Sequence, residues 1–195
     1  MDKKQYLNFY WQYYLHLEHD FSNTTEFVTL DIANFKTFSI EYQKLLLAIG
    51  SECEILFKEL CDFESNSPKK MHHYKSKIKS EKLMELDNRV RVINFAKTIM
   101  LQPLGEKWPE VTPYWWRRYN EVKHGRSINY KQANLENVLN ALASLYLLEE
   151  YVHRKIIKKN EIDLIVPESN LFSLLWTKRT EPTNKMTLEY IRNDN

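Results

Sequence analysis

The densest chemistry in the chain lies in TPYWWRRYNEVKHGR, residues 112–126, which holds an imidazole, three guanidinium groups, an ammonium and an amide. At about 100° per residue, helical positions seven apart nearly eclipse, so Arg117 and His124 share one face. Asn120 and Glu121 flank that face, and Arg118 lies about 120° from His124. Histidine moves a proton near neutral pH, and arginine holds a phosphate through two parallel hydrogen bonds. Together these groups suit the breaking of a phosphodiester bond. The plainer alternative is a half-buried helix whose aromatics pack inward while its Arg, Lys and His face water.

Other candidates carry less. His16 and His19, followed by Asp20, sit at i,i+3 but have no third ligand at a convincing spacing, so no metal is expected. His72 and His73 lie among Lys69, Lys70, Lys75, Lys77, Lys79 and Lys82, with Glu81 the only opposing charge between Pro68 and Leu83. That basic run could steer a phosphate backbone or form a wet surface. Asn137, Asn140 and Ser144 make a polar stripe that either braces Asn120 and His124 from behind or satisfies polar groups between helices. Cys53 and Cys61, eight apart on one predicted helix, have Cα atoms about 12 Å apart, too far for a disulfide. They read as core thiols in a reducing cytoplasm. No nucleophile elbow, acidic two-metal cluster, zinc finger or basic zipper can be written.

These residues need elements to position them. The first helix is predicted over about 4–19, rich in Tyr and Phe. A second runs over about 40–63, with Ser39 as its N-cap and Glu41 in its first turn. Along it Leu45, Leu46, Ile49, Ile55, Leu56 and Leu60 keep helical spacing, and Glu54 pairs with Lys58 at i,i+4. Residues 64–112 are the least regular, with a short strand in ELDNRVRVINF and breaks at Pro103, Pro109 and Pro113. Thr112 and Pro113 give a cap-plus-first-turn signal for the Trp-Trp helix, which ends at Gly125 in a left-handed C′ position. ANLENVLNALASLYLLEEYVHRKIIKK is apolar on nearly every side at its middle and belongs at the centre of a bundle. The remainder, about 163–195, reads as an extended arm anchored near Leu171, Phe172 and Trp176.

The chain has 195 residues, 28 Lys plus Arg against 26 Asp plus Glu, and only three glycines, Gly50, Gly105 and Gly125. Average usage of about 7% would give roughly 14. Glycine-rich phosphate loops are therefore excluded, and no cofactor is expected. The predicted fold class is all-α: one helical-bundle domain over 1–195, with a small strand-like or irregular insertion before the Trp-Trp helix. The first twenty residues lack the apolar core of a signal peptide, and the longest uncharged apolar run, 137–148, is too short to span a bilayer. A cytoplasmic protein with no membrane association is expected.

The stretch WWRRYNEVKHGRSINYKQANLENVLNALASLYLLE resembles uncharacterised bacterial proteins of the HEPN superfamily (higher eukaryote and prokaryote nucleotide-binding), helical bundles marked by Arg, four to six residues, then His. Arg118 and Arg117 both satisfy that motif with His124. FVTLDIANFKTFSIEYQKLLLAIGSECEILFK and SNLFSLLW add to the resemblance, which covers most of the chain. It implies a metal-independent endoribonuclease in a bacterial defence or toxin–antitoxin setting. Two protomers would complete one site, and an antitoxin or regulatory protein would be a partner. In that mechanism His124 transfers a proton or positions phosphate, and Arg118, with Arg117 as the substitute, stabilises charge on the phosphoryl oxygens. Asn120 orients, and Lys123 and Arg126 hold backbone phosphates of RNA. Active members often carry a polar residue directly after the motif Arg, whereas Tyr119 follows Arg118 here. The alternative is an inactive helical module that dimerises, or binds a partner protein or nucleotide, through aromatics of the first helix.

Overall fold

In the computed structural model, which describes residues 1–93, 99–160 and 166–176, helices predominate and a small three-stranded sheet closes one side. The first helix, α1, begins at Lys3–Gln5, loosens into a π-helical stretch over Tyr6–Trp11 and continues over Gln12–Thr24. It reaches five residues beyond the predicted end. Helix α2 covers Ile40–Leu60, and Ser39 caps it as expected, its hydroxyl accepting from the Tyr42 amide at 3.0 Å. Such a cap is worth about 1 kcal/mol. Leu45, Leu46, Ile49, Leu56 and Leu60 face the core, whereas Ile55 is 37% exposed. Glu54 and Lys58 pair at 3.9 Å.

Helix α3, Met71–Glu81, occupies a region the sequence reading left irregular. Its N-terminus has no Ser, Thr, Asp or Asn cap; instead the Lys70 amide donates to Nδ1 of His73 at 2.9 Å. Strands β1 (Val90–Val92) and β2 (Ile99–Leu101) follow, then helix α4 (Tyr114–His124) and a short helix α5 (Arg126–Asn129). The long helix α6, Leu135–Asn160, runs through the centre, with Val138, Leu139, Leu142, Leu145, Leu148 and Val152 all buried. Its N-terminal amides are met by the 35–38 segment: Leu135 N–H donates to the Thr37 carbonyl at 2.9 Å and Glu136 N–H to that of Phe35 at 3.0 Å. The Asn134 side chain accepts from the Asn137 amide at 3.0 Å.

Strand β1 lies between β2 and a third strand, β3 (Phe172–Leu174), antiparallel to both, with Val90 opposite Leu101 on one side and Leu174 on the other. The expected strand-like insertion is thus real but completed from the other end of the chain. The segment read as an extended arm supplies an edge strand, and Leu171, Phe172 and Trp176 are buried as its anchor. Residues 163–165 and 177–195 of that arm lie outside the described residues.

Indole N–H groups fasten irregular backbone to the helices. Trp11 donates to the Pro167 carbonyl at 3.0 Å, Trp115 to that of Pro103 at 2.9 Å and Trp176 to that of Asp87 at 2.7 Å. Each buried ring so keeps its one polar atom satisfied. Glu18 does the same for the tail, accepting from Tyr14 OH at 2.6 Å, the Asn170 and Leu171 amides at 3.0 and 3.2 Å, and the Ser169 hydroxyl. Both cysteines are buried and free, and burial pushes the Cys61 thiol up to about 12 and raises that of Cys53. Neither is a nucleophile. Among the described residues no helix is long and apolar enough to cross a membrane.

Candidate functional site

Helix α4 carries the site, and its placement depends on one close approach. A Cβ on Gly50 of α2 would stand 2.4 Å from Cδ2 of Tyr119, so the absence of a side chain there lets the aromatic ring of α4 lie against the α2 backbone. Trp115, Trp116, Tyr119 and Val122 form the buried stripe of α4. That stripe turns Arg117, Lys123 and His124 outward, where all three are exposed.

The ends of the helix differ from expectation. Thr112 makes no capping bond: the helix starts at Tyr114, Pro113 stands at the N-cap position, and no side chain caps it. A proline before the first turn needs no amide partner, which leaves the threonine without that task. At the other end Gly125 stops the helix, but with φ −145° and ψ 54° it is not left-handed. Its backbone is shared with the start of α5. The Glu121 carbonyl accepts from the Gly125 amide at 2.9 Å and from Nδ2 of Asn129 at 3.1 Å. His124 therefore sits on a sharp corner between two helices.

The donors of α4 fall into two groups. Nη1 of Arg118 donates to both carboxylate oxygens of Glu121, at 2.9 and 2.7 Å, and its Cζ lies 4.4 Å from the ring centre of Tyr114. The hydrogen bond to Glu121 is the main cause of the raised Arg118 pKa. Asn120 donates to the Trp116 carbonyl at 2.8 Å, within its own helix, and so does not reach toward His124. Lys123 donates to Tyr119 OH at 3.2 Å, which raises its pKa. Arg117, His124 and Arg126 form the second group, with no side-chain hydrogen bond or ion pair among the described residues; Arg117 lies over the Tyr114 ring at 5.7 Å.

Arg117 is exposed on the face of α4 that carries His124, whereas Arg118 is half-buried against Glu121 and Tyr114. Seven residues separate Arg117 from His124 by about 10 Å of helix rise, and helical side chains lean toward the N-terminus. Arg117 leans toward Tyr114, leaving space between guanidinium and imidazole. A concavity of about 220 Å³ beside Tyr114, reaching Trp115, Asn137 and Asn140, includes neither of them. Two residues of the polar stripe of α6 serve local needs, Asn137 donating to the Gln132 carbonyl at 2.8 Å and Asn140 to that of Glu136 at 2.9 Å, whereas Ser144 Oγ is buried without a hydrogen-bond partner among the described residues.

The basic run also changes character once folded. Lys77 pairs with Glu81, Lys79 with Glu110 and Lys82 with Glu85, while Lys75 donates to the Glu110 carbonyl and Lys69 covers the Phe63 ring. Glu85 and Glu110 lie outside the stretch and, with Glu81, set three carboxylates against its six lysines, so a positive excess remains. His16 and His19 are exposed, and His19 engages Asn23 at 3.3 Å. Among the described residues no group of three or more His, Cys, Asp or Glu side chains could hold a metal.

Three contacts of the site are absent from the sequence-based expectations: Arg118 with Glu121, Arg118 with Tyr114, and Gly50 with Tyr119. Glu121 is three residues from Arg118 and Tyr114 four before it, so the i,i+3 and i,i+4 rule could have found both. Gly50 could not be found, because its partner is 69 positions away. Compared with family models, curated proteins and solved structures, the chain matches none.

Proposed function

We propose that the protein is a metal-independent endoribonuclease of HEPN type, with Arg117 and His124 as its working pair. The observation that supports this is their shared, solvent-facing surface on α4, where neither side chain makes a hydrogen bond or ion pair among the described residues. A single chain presents these groups on an open corner, and a second copy would close the site. Ile128 is 82% exposed, and Phe38 and Tyr130, each 43% exposed, meet edge to face at 5.4 Å; they offer apolar surface near that corner. In the proposed step His124 takes the proton of an RNA 2′-hydroxyl as that oxygen attacks the adjacent phosphorus. The 5′-oxygen leaves with a proton from the second imidazole or from water, and a cyclic phosphate remains. Arg117 stabilises the charge on the phosphoryl oxygens, and Lys123 and Arg126 hold neighbouring phosphates.

The second reading, a non-catalytic module, draws on Arg118, Asn120 and Lys123, each of which gives a donor to a partner inside α4. Cleavage of single-stranded RNA in EDTA separates the two. Arg117→Ala should lower the rate by about 10²–10³-fold, and Arg118→Ala far less. Equal loss in both variants would refute the choice of Arg117. No cleavage by wild type at a concentration where light scattering shows a dimer would sink the enzyme reading.

A further inference from the structure

On the side of α2 away from Gly50, α1 and α2 enclose an open groove of about 600 Å³ with an unusual mixture of groups. Phe9, Tyr10 and Tyr13 come from α1, the first two from its π-helical stretch, a deformation that recurs at functional sites. Phe9 is 69% and Tyr13 40% exposed. Facing them, Glu52, Ile55 and Glu59 share one side of α2 at i, i+3 and i+7.

The carboxylates are the informative part. Several other acidic side chains are paired: Glu41 with Lys44, Glu54 with Lys58, Glu110 with Lys79, Glu121 with Arg118, Asp62 with Lys155. The side-chain carboxylates of Glu52 and Glu59 have no hydrogen bond or ion pair to any described residue, although both residues are half-buried. Lys155, the nearest candidate, gives its protons to the Glu59 and Leu60 carbonyls and to Asp62. Burial pushes the Glu52 carboxyl up, and burial together with the charges of Glu59, Glu52 and Glu149 raises Tyr10. Behind the groove Glu149 is buried, with Oε2 lacking a hydrogen-bond partner. Met1 and Gln5 complete the lining, so this is an aromatic-walled cavity with two carboxylates, the Met1 amino group, and no Lys, Arg or His side chain in its wall.

Most ligand classes fit it badly. An anion would be repelled, and a neutral apolar group would bury the carboxylates further with nothing in return. A metal ion would need a third acidic or imidazole ligand, and no such group exists among the described residues. A guanidinium meets every feature at once: its face stacks on aromatic rings and its edge gives paired N–H donors to a carboxylate. The volume exceeds that of a single side chain and suits a short run of peptide.

We propose that the groove between α1 and α2 is a docking site for an arginine-containing basic segment of a protein partner. Its arginine inserts between Phe9 and Tyr13 and pairs with Glu52 and Glu59. This is independent of the ribonuclease reading, since no residue of α4 takes part.

Fluorescence anisotropy with a labelled arginine-rich peptide, titrated with the full chain at low salt, tests it. Wild type should bind that peptide, bind a lysine counterpart more weakly and ignore an acidic one. The double substitution Glu52→Gln/Glu59→Gln, and separately Phe9→Ala, should each weaken binding on the order of tenfold. Absence of binding by wild type would overturn the proposal, as would equal binding by both variants, which would put the peptide on some other acidic surface. Should the double variant fold poorly by circular dichroism, Phe9→Ala decides alone, because that side chain is mostly solvent-exposed.

Discussion

Replacing Gly50 with alanine puts a carbon 2.4, 2.5 and 2.7 Å from Cδ2, Cε2 and Cγ of Tyr119, about 1 Å inside the 3.4 Å at which ordinary contact begins. The ring has little freedom to retreat. Tyr119 is 2% exposed, Trp116 lies 5.4 Å away centre to centre, and Lys123 donates to the hydroxyl. Two effects oppose each other. Alanine favours a helix over glycine by about 1 kcal/mol. Overpacking a tight core costs about 1–3 kcal/mol, and a shift this large belongs at the upper end. The net expectation is a loss of about 1–2 kcal/mol. For a chain of this size each kcal/mol moves Tm by about 2–4 °C, so Gly50→Ala should melt about 2–8 °C lower. Adding Tyr119→Ala should give a double variant more stable than the sum of the two single losses, with a coupling of about 1 kcal/mol or more. Circular dichroism melts of the four proteins complete the cycle. An unchanged or raised Tm for Gly50→Ala would refute the close approach, since helix propensity alone predicts a rise.

Other consequences can be measured in the same way. Glu18→Ala leaves the amides of Asn170 and Leu171 and the Ser169 hydroxyl without their shared acceptor, and should cost about 3 kcal/mol or more. Hydrogen exchange at 170–172 should accelerate, and unchanged protection there would contradict that anchor. Burial holds the Glu149 carboxyl well above the usual carboxylate range, so the folded chain binds this proton more tightly than the unfolded chain. Its stabilising contribution is complete below the unfolded value of about 4.3 and falls as pH rises from there toward the folded value. Urea unfolding of Glu149→Gln should therefore show a flatter decline between about pH 5 and 8 than wild type. Identical slopes would place the titration elsewhere.

The parts of the fold visible in the sequence are those set by local periodicity. Ser39 before an apolar stripe defined α2, and the all-round apolar middle of 135–160 put α6 at the centre. Helix α3 was hidden because lysines interrupt its stripe and its cap comes from His73, an atypical donor of that function. The third strand was hidden because its partners are about eighty residues away, a pairing that no local pattern records. Within the site, the Arg117–His124 face follows from helix geometry alone. The difference between Arg117 and Arg118 did not, since it turns on Glu121, which takes hydrogen bonds from the Arg118 guanidinium and none from that of Arg117. The pairing of Lys79 and Lys82 was hidden for a similar reason: Glu110 and Glu85 lie beyond the ends of 68–83.

The central claim is that solvent-facing His124 performs proton transfer on RNA. It is tested most directly by incubating an end-labelled single-stranded RNA in EDTA with wild type or His124→Ala, and reading product termini by mass spectrometry. The expected result is cleavage by wild type leaving a 2′,3′-cyclic phosphate, slowed by about 10²–10⁴-fold in the folded variant and blocked where a 2′-deoxynucleotide stands at the cut. Equal cleavage by wild type and variant, or wild-type products without cyclic ends, would contradict it.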